Sequence, residues 1–211
     1  MAIRIIVADV FLEHGASVKN AISTGYGSDI SAQISIVPVD LGEAIVHAQA
    51  SGSIAVVHSY TGVESHVAEA QVVYPTILCF MPLGSNSFVE LTALSDIPVI
   101  VTSGAGTTQN DTAYGDGLEF WDSPDFVSSN SNGVICGKML YIKDTLGLDW
   151  LDVRRYCRAT TSQRGQWNKF NGYGQIDVAA ALAYIDVFSF LEIPYAPVVM
   201  NLSKLIYVYT S

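Results

Sequence analysis

"DFVSSNSNGVICGKMLYI", residues 125–142, joins two unlike kinds of sequence. Ser128, Ser129, Asn130, Ser131 and Asn132 form a small polar run, and at Gly133 the chain turns into an apolar segment that reads as a buried helix. Two readings fit. The run caps the helix, since Ser and Asn oxygens accept bonds from the first N–H groups of a helix. Alternatively, one serine is a nucleophile held at the helix entrance. There the positive end of the helix and its N–H groups would face a developing oxyanion. Capping suits Ser128 or Ser131 as well as Ser129, so the rest of the chain must decide.

Strands and helices alternate before this stretch. "IRIIVAD" (3–9) is a continuous apolar β-rich run, and "HGASVKNAIS" (14–23) places Ala16, Val18, Ala21 and Ile22 at helical spacing. A strand (32–40), a helix (41–51), a strand (53–62), a helix (63–73) and a strand (76–84) follow. Unbroken apolar strands separated by helices predict a largely parallel α/β sheet covered on both faces. The second half adds a strand (97–106), loop composition (107–117) and a short strand (118–122). Helices are predicted over 133–147, over 149–161 with Asp149 as N-cap, and after the "GYGQ" turn within 172–191. Residues 1–191 read as one domain, and 192–211 as an extended, β-prone tail.

Bulk properties narrow the function. Of 211 residues, 50% are hydrophobic and only 14% charged, with mean hydropathy +0.33. That is ample for one core and unlike a disordered chain. No apolar run approaches the ~20 residues of a membrane helix, so no membrane partner is expected. "MAIRIIVAD" is too short and reaches an acid too soon for a signal peptide, which predicts cytoplasmic folding. The net charge is −10 and the one basic cluster is Arg154, Arg155 and Arg158, so nucleic-acid binding is not expected. Cys79, Cys136 and Cys157 have no CxxC spacing and read as buried thiols. No metal site and no cofactor are expected.

Chemistry in open α/β sheets gathers at the carboxyl ends of the strands. Asp9 closes the first strand, and His14 opens the first helix five residues later. Gly84, Ser85 and Asn86 follow the 76–84 strand, and Ser129 precedes the 133–147 helix. An acid, an imidazole and a hydroxyl at such ends are the parts of a hydrolytic triad. Each also has a plainer reading: Asp9 as a strand-end carboxylate, His14 as an ordinary helix-start histidine, Asn86 as a loop residue. The rings of His47, His58 and His66 read as structural or surface, and Trp121, Trp150 and Trp167 as core.

These residues resemble the subtilisin-like serine proteases, in the order Asp, His, Ser. "HGASVKNAI" resembles the family's His-Gly-Thr-x-Val helix start, with Ala16 in the threonine's place. "VVHSYTG" resembles its substrate-pairing strand, and "FMPLGSN" its Ala-Gly-Asn oxyanion segment. "SSNSNGVICGKML" resembles Gly-Thr-Ser-x-x-x-Pro-x-Val-Ala-Gly, with Ser129 eight residues before Gly137 as the family's nucleophile stands before its glycine. The closing helix, Gly-Tyr-Gly turn and final helix also have counterparts, and the match covers residues 3–186.

The resemblance implies that Ser129 is the nucleophile, His14 the general base and Asp9 its orienter. It makes Asn86 the oxyanion donor, although Asn86 sits one residue late, which puts Ser85 in the asparagine's place. It implies polypeptide binding along His58, Ser59, Tyr60, Thr61 and Gly62, and near Leu83, Gly84 and Ser85. Several features depart from the family. Val127 and Ser128 replace Gly-Thr, and Gly133 replaces proline. The usual long loop between Asp9 and His14 is cut to four residues, though five chain steps still reach ~17 Å. No folding prodomain and no calcium loop are expected. The alternative reading is an inactive structural or adaptor subunit of a larger assembly such as a virion, with residues 193–211 adding a strand to a partner.

Overall fold

In a computed structural model, the described residues are 3–59, 70, 72–83, 99–104, 115, 117–122, 128–169 and 171–184. Tyr60, Thr61, Gly62, Gly84, Ser85, Asn86, His66, most of the 63–73 helix and the 193–211 tail lie outside them.

Six strands form one parallel sheet: β1 (Ile5–Ala8), β2 (Ile34–Val37), β3 (Ala55–His58), β4 (Leu78–Pro82), β5 (Val99–Gly104) and β6 (Phe120–Asp122). Their order is β2-β1-β3-β4-β5-β6, and every pairing is parallel. The chain therefore winds outward in one direction from β1 to β2 and in the other from β3 to β6. β1, β3 and β4 are buried at every residue, which is why they read as unbroken apolar runs. Alternation along each strand feeds two cores. Ile5, Val7, Val57, Phe80 and Phe120 face one core, and Ile6, Ala8, Val56, Cys79 and Met81 the other.

Among the described residues, helices α1 (Leu12–Tyr26), α3 (Ser128–Leu146), α4 (Trp150–Thr160) and α5 (Val178–Ala183) supply the first core, and α2 (Leu41–Ser51) covers the second. Local signals set their ends. Asp40 and Asp149 accept bonds from Glu43 N and Asp152 N, capping α2 and α4. Gly27 (φ 82°) and Gly52 (φ 67°) close α1 and α2 in the left-handed conformation.

Four expectations change. α1 begins at Leu12, and its apolar face is Gly15, Val18, Ala21 and Ile22; Ala16 is exposed. Gly15 takes that place because a side chain there would meet Ile36 of β2 at 2.8 Å. α3 starts at Ser128, so the polar run is the helix's own first turns rather than a lead-in. The last helix ends at Ala183, where Tyr184 leaves the helical region (ψ 121°). Trp150 is core, but Trp167 is 40% exposed, with its indole N–H on the Leu118 carbonyl at 2.7 Å. The three cysteines are free and buried. No helix among the described residues is long and apolar enough to cross a membrane.

Candidate active site

Asp9 is the first residue beyond β1, and its N–H still bonds Val37 O of β2 at 3.1 Å. Its carboxylate is fully buried. Oδ1 accepts from Phe11 N at 2.8 Å, a tight turn that carries the chain directly into α1. Oδ2 lies 2.5 Å from His14 Nδ1. The four-residue link is thus enough to bring acid and imidazole together. No long loop is needed, because the acid ends a strand and the histidine sits in the first turn of the next helix.

On the other side of the ring, His14 Nε2 lies 2.8 Å from Ser129 Oγ, 115 residues away in sequence. With Nδ1–H donating to Asp9, Nε2 is left as the acceptor for the serine proton. The His14 ring is 37% exposed, while Asp9 is enclosed and Ser129 is buried. The structure therefore brings together Asp9, His14 and Ser129.

Ser129 is the second residue of α3. First-turn N–H groups have no carbonyl partner inside their helix, and the helix end carries partial positive charge. Both asparagines of the run bond to neighbouring elements. Asn130 Oδ1 accepts from Ser17 Oγ of α1 at 3.1 Å. Asn132 accepts from Thr102 Oγ1 at 2.9 Å and donates to His58 O at 3.0 Å. The Ser/Asn composition fastens the serine-bearing turn to α1, β3 and β5.

Sequence reasoning missed Asn132 and the interlock of α1 with α3. A Cβ on Gly137 would sit 2.1 Å from Ile22 O, and one on Gly25 2.1 Å from Val134 O. Gly133 similarly faces Ala21 and Val18. The signal was present as small residues four apart on both helices, Ala21 and Gly25 on one and Gly133 and Gly137 on the other.

The predicted substrate strand is described only at its start. His58 is buried, and its carbonyl receives Asn132. Ser59 N donates to Ala8 O at 3.3 Å, and Leu83 N to Thr102 O at 2.8 Å, so these groups continue the sheet. The oxyanion candidates Asn86 and Ser85 lie outside the described residues. Cys136, on the same helix as Ser129, is no rival nucleophile. Burial pushes its thiol well above the ordinary value. Among the described residues no group of His, Cys, Asp and Glu side chains is placed to hold a metal ion.

No family model matches the chain, and no curated protein matches it in sequence. Solved structures do match in fold. The protease domain of PatA aligns with TM-score 0.64 at 14% identity, over 86% of this chain and 87% of that one. The MycP3 protease of the type VII (ESX-3) secretion system gives 0.58 at 12%, over 75% and 68%. MycP1 from Mycobacterium smegmatis gives 0.54 at 15%, over 69% and 54%; the chain spans about half the length of the MycP1 structures it matches. The likeness establishes a subtilisin-like α/β fold.

Proposed function

We propose that the chain is a serine endopeptidase acting through Ser129, His14 and Asp9. The observation that carries this reading is the continuous chain from Asp9 Oδ2 through the His14 ring to Ser129 Oγ, at 2.5 and 2.8 Å. Both contacts are within proton-transfer reach.

Ser129 Oγ attacks the carbonyl carbon of the scissile peptide bond as its proton passes to His14 Nε2. The imidazolium so formed is stabilised by the Asp9 carboxylate, which keeps the ring in the tautomer that can accept. The oxyanion is held by the N–H of Ser129 with Asn86, or Ser85 in its place. Collapse breaks the C–N bond, and His14 returns its proton to the leaving amine. Water, deprotonated by the same imidazole, then attacks the acyl-serine and releases the acid. A polypeptide substrate would lie along residues 58–62 and 83–85. No cofactor enters any step.

A fluorophosphonate probe tests the proposal, because it phosphonylates only an activated serine. The folded protein should label, and Ser129→Ala should not. Folded wild-type protein that takes no label overturns the enzyme reading and leaves the chain a subtilisin-fold subunit without this chemistry.

A further inference from the structure

At the opposite ends of the strands from Asp9 and Ser129 lies a second candidate site. The chain carries ten Lys and Arg in all, and Arg154, Arg155 and Arg158 gather on α4 beside a cavity of about 580 Å³. Tyr74, Leu151 and Ala159 share its lining. Glu119, buried just before β6, accepts from Arg154 through both carboxylate oxygens, at 2.7 and 2.5 Å. It also accepts from Arg158 Nε at 2.8 Å. One carboxylate thus joins two guanidiniums, and the trio carries one positive charge in excess.

Stability does not explain such a cluster well. Desolvating three ions costs several kcal/mol each, and apolar replacements of buried ion clusters are often neutral or better. The arrangement of Arg158 is more specific. Its Nε is committed to Glu119 and its guanidinium lies 5.2 Å from the Tyr173 ring centroid. Its two terminal nitrogens make no hydrogen bond among the described residues, yet the side chain is only 28% exposed and lines the cavity. A fixed, half-buried guanidinium fork with spare donors matches two oxygens of a carboxylate or phosphate. Tyr74 and Leu151 add aromatic and aliphatic surface.

We propose that this cavity binds a small anion, a carboxylate or phosphate group borne on an apolar body, with the terminal nitrogens of Arg158 holding the charge. The cavity far exceeds a bare ion, which is why the body is part of the inference. The site is separate from the serine chemistry and independent of it.

The test is thermal melting of the full chain at matched ionic strength, titrated with sodium phosphate, sodium phenylacetate or sodium chloride. A ligand bound only by the folded state raises Tm in a saturable way. Saturation by phenylacetate or by phosphate, above chloride, is expected, and the better probe identifies the group. Arg158→Gln should weaken that response about ten-fold, the worth of a charge-assisted pair. Leu151→Glu alters a half-exposed lining position and leaves Glu119 with both arginines, so it keeps the test open should Arg158→Gln not fold. Its added carboxylate should abolish the response. Equal behaviour of all three salts, or a wild-type response in Leu151→Glu, overturns the proposal.

Discussion

The side-chain oxygen of Asn132 accepts a hydrogen bond from the Thr102 hydroxyl at 2.9 Å, and both residues are fully buried. The Asn132 amide nitrogen meanwhile donates to His58 O. One side chain in the opening turns of α3 therefore spans from the end of β3 to Thr102 within β5, two strands that flank β4. Ser129 lies three residues earlier on the same face of that helix. The bridge sets the rotation of α3 and with it the direction of the serine hydroxyl.

Asn132→Ala should lower stability by about 1–3 kcal/mol, because it removes a buried hydrogen bond to the His58 carbonyl and leaves the Thr102 hydroxyl only its 3.5 Å contact with Met81 O. Fluorophosphonate labelling of the folded fraction should slow as Ser129 loses its bearing. Urea midpoints for Asn132→Ala, Thr102→Val and the double variant should show coupling of at least about 0.5 kcal/mol. Additive midpoints would mean that the bridge is not energetically real.

Gly137 and Gly42 are both helical glycines with opposite expectations. A Cβ on Gly137 would meet backbone atoms of α1, Ile22 O at 2.1 Å and Tyr26 N at 2.7 Å, so α1 and α3 must separate. Gly137→Ala should destabilise by about 1–3 kcal/mol despite the better helix propensity of alanine, and should slow labelling by moving His14 from Ser129. Gly42→Ala meets only Asp40 Oδ1 at 3.4 Å and should gain up to about 1 kcal/mol. Thermal melts of the pair check the contrast; equal shifts would contradict it.

Glu119 predicts acid sensitivity. Burial alone would raise its carboxyl, but the guanidiniums of Arg154 and then Arg158 overcome this and hold it below the ordinary carboxylate value. A group whose folded pKa is depressed contributes stability above its unfolded pKa of about 4.3, and loses it as pH falls through the folded value. Stability should therefore decline as pH drops below about 4.3. Glu119→Gln should be flatter in that range, and at neutral pH less stable by about 3–5 kcal/mol, since it removes the carboxylate that faces the buried Arg154 guanidinium. Denaturation curves from pH 3 to 7 give both slopes.

Cys79, Cys136 and Cys157 should resist iodoacetamide in the native protein. Burial pushes Cys79 up to about 12 and raises Cys136 and Cys157 as well, and the thiolate is the reactive form. Mass spectrometry should find no alkylation at pH 8 until denaturant is added, then three adducts. Rapid native alkylation of Cys136 would show that α3 opens from the sheet.

Parallel strands and their helices were legible because burial on both faces leaves continuous apolar runs, as in Ile5–Ala8 and Leu78–Pro82. Asp149 announced α4 by local capping chemistry, which needs no distant partner; Asp40, read as the end of a strand, caps α2 in the same way. The start of α3 was hidden for the opposite reason. Ser and Asn are poor helix formers alone, and Ser128–Asn132 are helical because Ser17, Thr102 and the His58 carbonyl, far off in sequence, surround them. Gly15 was passed over because a glycine on an apolar face carries no hydropathy signal, only the contact it permits with Ile36. The nearness of His14 to Ser129 followed from the family resemblance, not from anything local to either residue.

Asp9→Asn separates orientation from mere packing. The substitution keeps the size of the side chain and an oxygen for the Phe11 N–H, so the turn into α1 should survive and melting should stay cooperative. The new amide N–H, however, would face His14 Nδ1, where a carboxylate now accepts at 2.5 Å. The ring must then accept at Nδ1 and carry its proton on Nε2. In that tautomer Nε2 donates toward Ser129 Oγ and cannot take its proton. Labelling by fluorophosphonate should fall about 10⁴-fold, the loss typical of a wrong-tautomer triad. A folded Asp9→Asn protein that labels at the wild-type rate would remove Asp9 from the mechanism, leaving its carboxylate as a turn-forming group at the end of β1.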